Sequence, residues 1–284
     1  MIPFTKRIPN LPSPEGIAVA PNGKVIYVAD SSNHCILLFT ATGTFVGKLG
    51  SYGSGAGQFD HPYGVAVSLD GIVYVTDGDN HRVQLFSEKG DVLDMWGPPA
   101  WRFYYPCGIA AAPDGTVWVA DTLNNRILHL RATGEFLAEW RDFECPYGIA
   151  VAADGIVYVA DTARCCIRRF SATGTLLNKW GSWGSNAGQF SGPWDIAIAP
   201  DRTVYVVEAD NCRVQHFSAT GTFLGEWGSI GSGPGQFNHP KGIAVAPDGT
   251  VYVSDTNNQR IQRFDARGNF RGEWSLLDFV NQYC

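Results

Sequence analysis

The stretch Gly242-Ile243-Ala244-Val245-Ala246-Pro247-Asp248-Gly249-Thr250-Val251-Tyr252-Val253-Ser254-Asp255 decides the reading of this chain. Two short runs rich in Val, Ile and Tyr flank an Asp-Gly pair, which is the composition of two strands joined by a tight turn that needs positive φ. Working outward, the same pattern begins again at Gly16, Gly64, Gly108, Gly148 and Asp195, the last replacing Gly. The starts are 48, 44, 40, 47 and 47 residues apart, so the chain is six copies of one unit. A period of this length marks a repeat architecture and overrides local propensity.

Each copy continues through a polar turn, an Arg-Ile-Gln-x-Phe run, an Ala-Thr-Gly turn and a Phe-Leu-x-x-Trp run. That gives four strands per copy, paired as an antiparallel meander. A lone four-stranded sheet with two apolar faces is not stable in water, whereas radial stacking buries both faces and leaves short edges. The sequence therefore predicts an all-β, six-bladed β-propeller with four antiparallel strands per blade. One domain is expected over 1–284, with blades starting near 14, 62, 106, 146, 193 and 240.

The length variation sits in one connection. From the Trp of the fourth strand to the next inner-strand Gly is 15 residues at Trp227, 12 at Trp96 and 8 at Trp140. This connection shares a face, here called the top, with the polar turn between the second and third strands. The bottom carries nearly uniform Pro-Asp-Gly and Ala-Thr-Gly turns, specified by hairpin needs alone.

Composition narrows the function. The chain is 45% hydrophobic and 17% charged, far from the signature of disorder. Its net charge of −6 gives it no global basic excess for neutralising phosphates. Neither a signal-peptide core nor an 18-residue apolar run is read, so no membrane association is expected. Seven cysteines, without a Cys-x-x-Cys pair, suit reduced thiols, and a cytoplasmic monomer is the expectation.

The loop Gly-Ser-x-Gly-Ser-x-x-Gly-Gln-Phe-x-x-Pro starting at Gly50, Gly181 and Gly228, followed by Gly-Ile-Ala-Val and Val-Ala-Asp-x-x-Asn-x-Arg-Ile, resembles the NHL repeat family. The resemblance runs from about residue 14 to 274. It implies one of several roles: protein or RNA binding, as in tripartite-motif ubiquitin ligases; sensing, as in bacterial kinases; or the chemistry of a peptide-amidating lyase. No RING, kinase or coiled-coil segment is read here, so a ubiquitin or signalling role would need another chain.

The lyase of this family holds zinc with histidines between Pro and Gly of the Pro-x-Gly motif. Here those positions are Glu15, Tyr63, Cys107, Tyr147, Trp194 and Lys241, so neither a metal, a cofactor nor a catalytic residue is expected. A lyase or hydrolase in the channel, related to peptidyl-hydroxyglycine amidating lyase, is the disfavoured alternative. The acid closing each second strand (Asp30, Asp77, Asp121, Asp161, Glu208, Asp255) is read as structural, paired with Arg82, Arg126, Arg213 or Arg260 five residues on where that Arg is present.

The connections before blades 3 and 4, and the polar turn of blade 4, break the template with aromatics and arginines, the side chains enriched at binding hot spots. The expected function is a scaffold binding a protein or peptide through its top face. Its anchors would be Trp101, Arg102, Tyr104, Arg141, Tyr147 and Arg164, with Tyr63, Trp194 and Lys241 at the channel mouth. Single-stranded RNA on the same patch is the second reading, and the acidic charge counts against it.

Overall fold

The structure is a computed structural model that describes residues 11–97 and 102–279. Its strands, β1 to β24 in chain order, form six antiparallel sheets of four, each built from consecutive strands. Blade 1 is β1 (Pro14–Val19), β2 (Val25–Asp30), β3 (Cys35–Thr40) and β4 (Phe45–Leu49). The inner strands of the other blades are β5 (Pro62–Val67), β9 (Pro106–Ala111), β13 (Pro146–Val151), β17 (Pro193–Ile198) and β21 (Gly242–Val245). Each inner strand lies beside the next, and β21 lies beside β1, so the six sheets close a ring around an axis.

The core is six equivalent seams. Ile36, Leu38 and Ala29 of blade 1 pack on Val73, Val75 and Phe86 of blade 2, and the same arrangement recurs around the ring. It ends with Ile26, Val28 and Phe39 of blade 1 against Tyr252, Ile261 and Trp274 of blade 6. Ring closure therefore uses the same sheet-on-sheet burial as every other seam, and among the described residues each sheet is built from consecutive strands. Polar contacts recur as well. Thr76, Thr122, Thr162 and Thr256 each donate a hydroxyl to an inner-strand carbonyl of the following blade, at 2.7 to 2.8 Å.

The seams also explain part of the irregular sequence before blades 3 and 4. Phe59, Phe190 and Phe237 of the Gln-Phe loops are fully buried plugs at the top of their seams. Phe103 and Phe143 take that place in the shortened connections. Aromatics in the short loops thus do two jobs, and only some of them face solvent.

Candidate binding site

Around the axis, the Pro-x-Gly step of each inner strand sets the site. Between the Pro and the following Ile or Val the pairing to the second strand shifts register in blades 1 to 5, a bulge of the kind that re-aims a side chain. Glu15, Tyr63, Cys107, Tyr147, Trp194 and Lys241 all line one cavity in the channel, together with Ile17, Val65, Ile109, Ile149, Ile196 and Ile243. The cavity measures roughly 100 Å³, room for a side-chain-sized group. Tyr63, Tyr147, Trp194 and Lys241 are thus brought together as the sequence predicted.

The electrostatics of this lining follow from burial. Glu15 is only 4% exposed and accepts from Lys241 Nζ at 2.7 Å. Desolvation raises its pKa even so, against the pull of Lys241. Only Oε1 is engaged; the buried Oε2 has no hydrogen-bond partner. Lys241 also lies 5.0 Å from the Trp194 ring centroid, and Trp194 lies 4.3 Å from Tyr147. The hydroxyls of Tyr63 and Tyr105 hydrogen-bond at 2.5 Å. Burial pushes the Cys107 thiol up to about 12, so it is protonated at neutral pH and is no nucleophile. The lining holds no histidine. The result is an aromatic pocket with a clasped cation and one acceptor lacking a donor.

Asp195 stands where the other blades have Gly, and its carboxylate accepts from Ile196 N at 2.8 Å and, across the seam to blade 6, from Ile243 N at 3.1 Å. Burial raises its pKa to about 7. A carboxyl whose folded pKa lies above its unfolded value holds its proton longer when folded, so stability falls as pH rises from about 4 to 7 and levels off beyond. Thermal melts of Asp195→Asn should accordingly show a weaker loss of Tm between pH 5 and 8 than the parent; equal slopes would show that Asp195 stays ionised.

The predicted anchors of blades 3 and 4 divide into groups. Arg102, Tyr104 and Arg141 are exposed, with Tyr104 edge-on to His81 at 5.2 Å and Arg141 paired to Glu139. Arg164 is instead committed to Asp142 and Asp161, because blade 4 has Cys166 where other blades carry the repeat Arg. Arg164 and Arg168 both reach Asp161 in its place and leave a recess of about 220 Å³ lined also by Asp142, Cys166 and Lys179. Trp101 lies outside the described residues.

Sequence reading missed a second exposed set on the top face. The x of Gly-Ser-x-Gly-Ser is Tyr52, Trp183 or Ile230, and these loop tips are 58%, 77% and 75% exposed. The signal was present as an apolar residue at the centre of three otherwise small, polar loops.

Those loops are held by the repeat Arg. In blades 2, 5 and 6, Arg82, Arg213 and Arg260 each bind the strand-closing acid through Nε and three loop carbonyls through the guanidinium ends. Gln84, Gln215 and Gln262, two residues on, add a carbonyl and an amide of the same loop. The acid ring is thus built into a loop clamp.

With this geometry in place, comparison with known proteins is informative. The NHL repeat profile matches 103–130, 143–170, 190–217 and 237–264, and the SMP-30/gluconolactonase/LRE-like region profile matches 4–107. The chain is similar to the RING finger protein nhl-1 of Caenorhabditis elegans (46% identity over 55 residues) and to the protein brain tumor of Drosophila melanogaster (40% over 50). These matches cover 19% and 18% of this chain but only 6% and 5% of those proteins. Among solved structures it is similar to a streptogramin B lyase, with TM-score 0.70 and 19% identity over 96% of this chain and 86% of the other. At that identity the likeness shows the fold. Among the described residues no helix is long and apolar enough to cross a membrane. Four blades match the NHL repeat profile in a closed ring of six built on one sequence pattern, so this chain is a six-bladed β-propeller carrying four NHL repeats.

Proposed function

We propose that the chain is a binding module that takes a peptide or a protein segment across its top face, seating one side chain in the channel mouth. The observation that carries this reading is the mouth itself: the rings of Tyr147 and Trp194 in tilted contact and a buried Glu15 whose Oε2 lacks a donor. A buried acceptor without a partner costs free energy that a ligand donor recovers. A peptide side chain bearing N–H or O–H meets that need while its apolar part covers the rings. Exposed Arg102, Tyr104 and Arg141 and the tips Tyr52, Trp183 and Ile230 offer the surrounding contacts. The protonated Cys107 and the lack of histidine in the lining favour recognition over catalysis.

Selection of peptides by display on the immobilised propeller, followed by affinity measurement, tests this. Trp194→Ala should weaken the selected peptides by about tenfold or more, the loss expected of a hot-spot aromatic, while the folded variant retains its cooperative melt. Binding that ignores Trp194→Ala and also the double variant Tyr104→Ala with Arg141→Ala would refute the site. Affinity that falls steeply with salt would instead point to phosphate contacts and the RNA reading.

A further inference from the structure

We propose that the seam between blades 1 and 2 holds a site for an imidazole-binding divalent cation of the zinc type, built from His34, Asp60 and His61 with water completing the shell. Ligand atoms of His34, Asp60 and His61 lie within 4.8 Å of one another. Asp60 Oδ1 is 2.9 Å from His61 Nδ1 and 3.4 Å from His34 Nδ1, and Asp79 Oδ2 is 2.7 Å from His61 Nδ1. Bonds of about 2.0 to 2.1 Å to a tetrahedral ion put neighbouring ligand atoms roughly 3.4 Å apart. The Asp60 to His34 spacing already matches, and the Asp60 to His61 spacing must widen by about 0.5 Å to admit the ion.

Proton arithmetic points the same way. His61 Nδ1 carries at most one proton, yet two carboxylates are aimed at it. His34 Nδ1 accepts the His61 backbone N–H at 3.1 Å, so its lone pair is unprotonated and an ion bound there would take the place of that hydrogen bond. Two ring nitrogens and the Asp60 carboxylate converge within 4.8 Å, a donor set that suits a cation. Nitrogen among the donors favours zinc-like ions over calcium or magnesium, which prefer oxygen alone. The side chains range from 15% exposed at His34 to 41% at His61, so an ion can enter and water can complete its shell.

His34 has an ordinary role too. The residue capping this turn, in positive φ, hydrogen-bonds the next blade's backbone elsewhere: His81 Nδ1 accepts from Tyr105 N and Asn125 Oδ1 from Cys145 N. Asn125 shows that the clip needs no imidazole. What sets His34 apart is the histidine and the carboxylate it faces, His61 and Asp60. The expectation of no metal rested on the ring around the axis, and this cluster is off it, at the seam.

The clip supplies the control. His34→Asn keeps the clip and removes a ring nitrogen, and His61→Asn suits the positive φ of 51° at that position. Zn²⁺ binding is read by competition with a chromophoric chelator at pH 7.5, and Co²⁺ by its visible absorption. One equivalent of micromolar or tighter affinity is expected for the parent, weakened at least tenfold in either Asn variant and in Asp60→Asn, with a Zn²⁺-induced rise in Tm that the variants lose. No stoichiometric uptake by the parent, or uptake that all three folded variants retain, overturns the site.

Discussion

Arg260→Ala is expected to lower the stability of the propeller by about 3 to 5 kcal/mol, the loss found when one partner of a buried ion pair is removed. The Arg260 side chain is 8% exposed and Asp255 is fully buried. Its Nε donates to Asp255 at 2.7 Å, and its terminal nitrogens bind Glu273 and the carbonyls of Ser232, Gly233 and Gln236, between 2.7 and 2.9 Å. Alanine would leave a buried carboxylate short of its counter-charge and the Ser232 carbonyl without its donor. Arg260→Lys should recover only part of the loss, since an ammonium cannot reproduce the planar fork. Arg126→Ala should cost less. Its connection is short, and besides Asp121 and Glu139 its guanidinium holds one loop carbonyl, that of Arg102 at 3.1 Å. Urea unfolding of the three variants reads this order directly, and Arg260→Ala melting like the parent would show that the clamp is not structural.

Gly108→Ala should be comparably damaging, at about 3 kcal/mol or more, the upper end of overpacking penalties. A Cβ on Gly108 would lie 1.9 Å from the Tyr147 carbonyl oxygen, and backbone cannot rotate away as a side chain does. The seam between blades 3 and 4 must open, and with it the wall of the channel mouth. Gly47→Ala on the outer strand β4 is the control, because its Cβ would meet nothing within 4 Å. That change should be neutral to within about 0.5 kcal/mol. If the two variants unfold alike, close approach of the inner strands is not what keeps Gly at this position. Blade 5 shows that one seam does admit a side chain, Asp195, which turns its carboxylate into a hydrogen bond to Ile243 of blade 6.

Strand count, blade count and the identity of the channel-mouth residues were legible because a six-fold repeat ties each position to a place in the ring. Tyr63, Tyr147, Trp194 and Lys241 needed only the Pro-x-Gly step to be located. Contacts between blades were not legible, since they join residues 20 to 61 apart or at opposite ends of the chain. The Glu15 to Lys241 pair spans 226 positions, and the repeat gives no reason for a carboxylate and an ammonium to occupy neighbouring blades. Arg164 shows the same limit. Its sequence context marks it as irregular, while its commitment to Asp161 appears only once Cys166 is seen opposite that acid. Phe103 and Phe143 lie among the aromatics of the shortened connections, and their equivalence to the buried Phe of the Gln-Phe loops appears only in three dimensions.

The central claim is that the top face is the binding surface, and hydrogen exchange of the propeller with and without a selected peptide tests it most directly. The account predicts slowed exchange in the segments around Glu15, Tyr63, Cys107, Tyr147, Trp194 and Lys241 and in the adjoining top connections, with the bottom Pro-Asp-Gly and Ala-Thr-Gly turns unchanged. Protection confined to the bottom turns or the outer strands, with the channel-mouth segments exchanging as in the free protein, would contradict it.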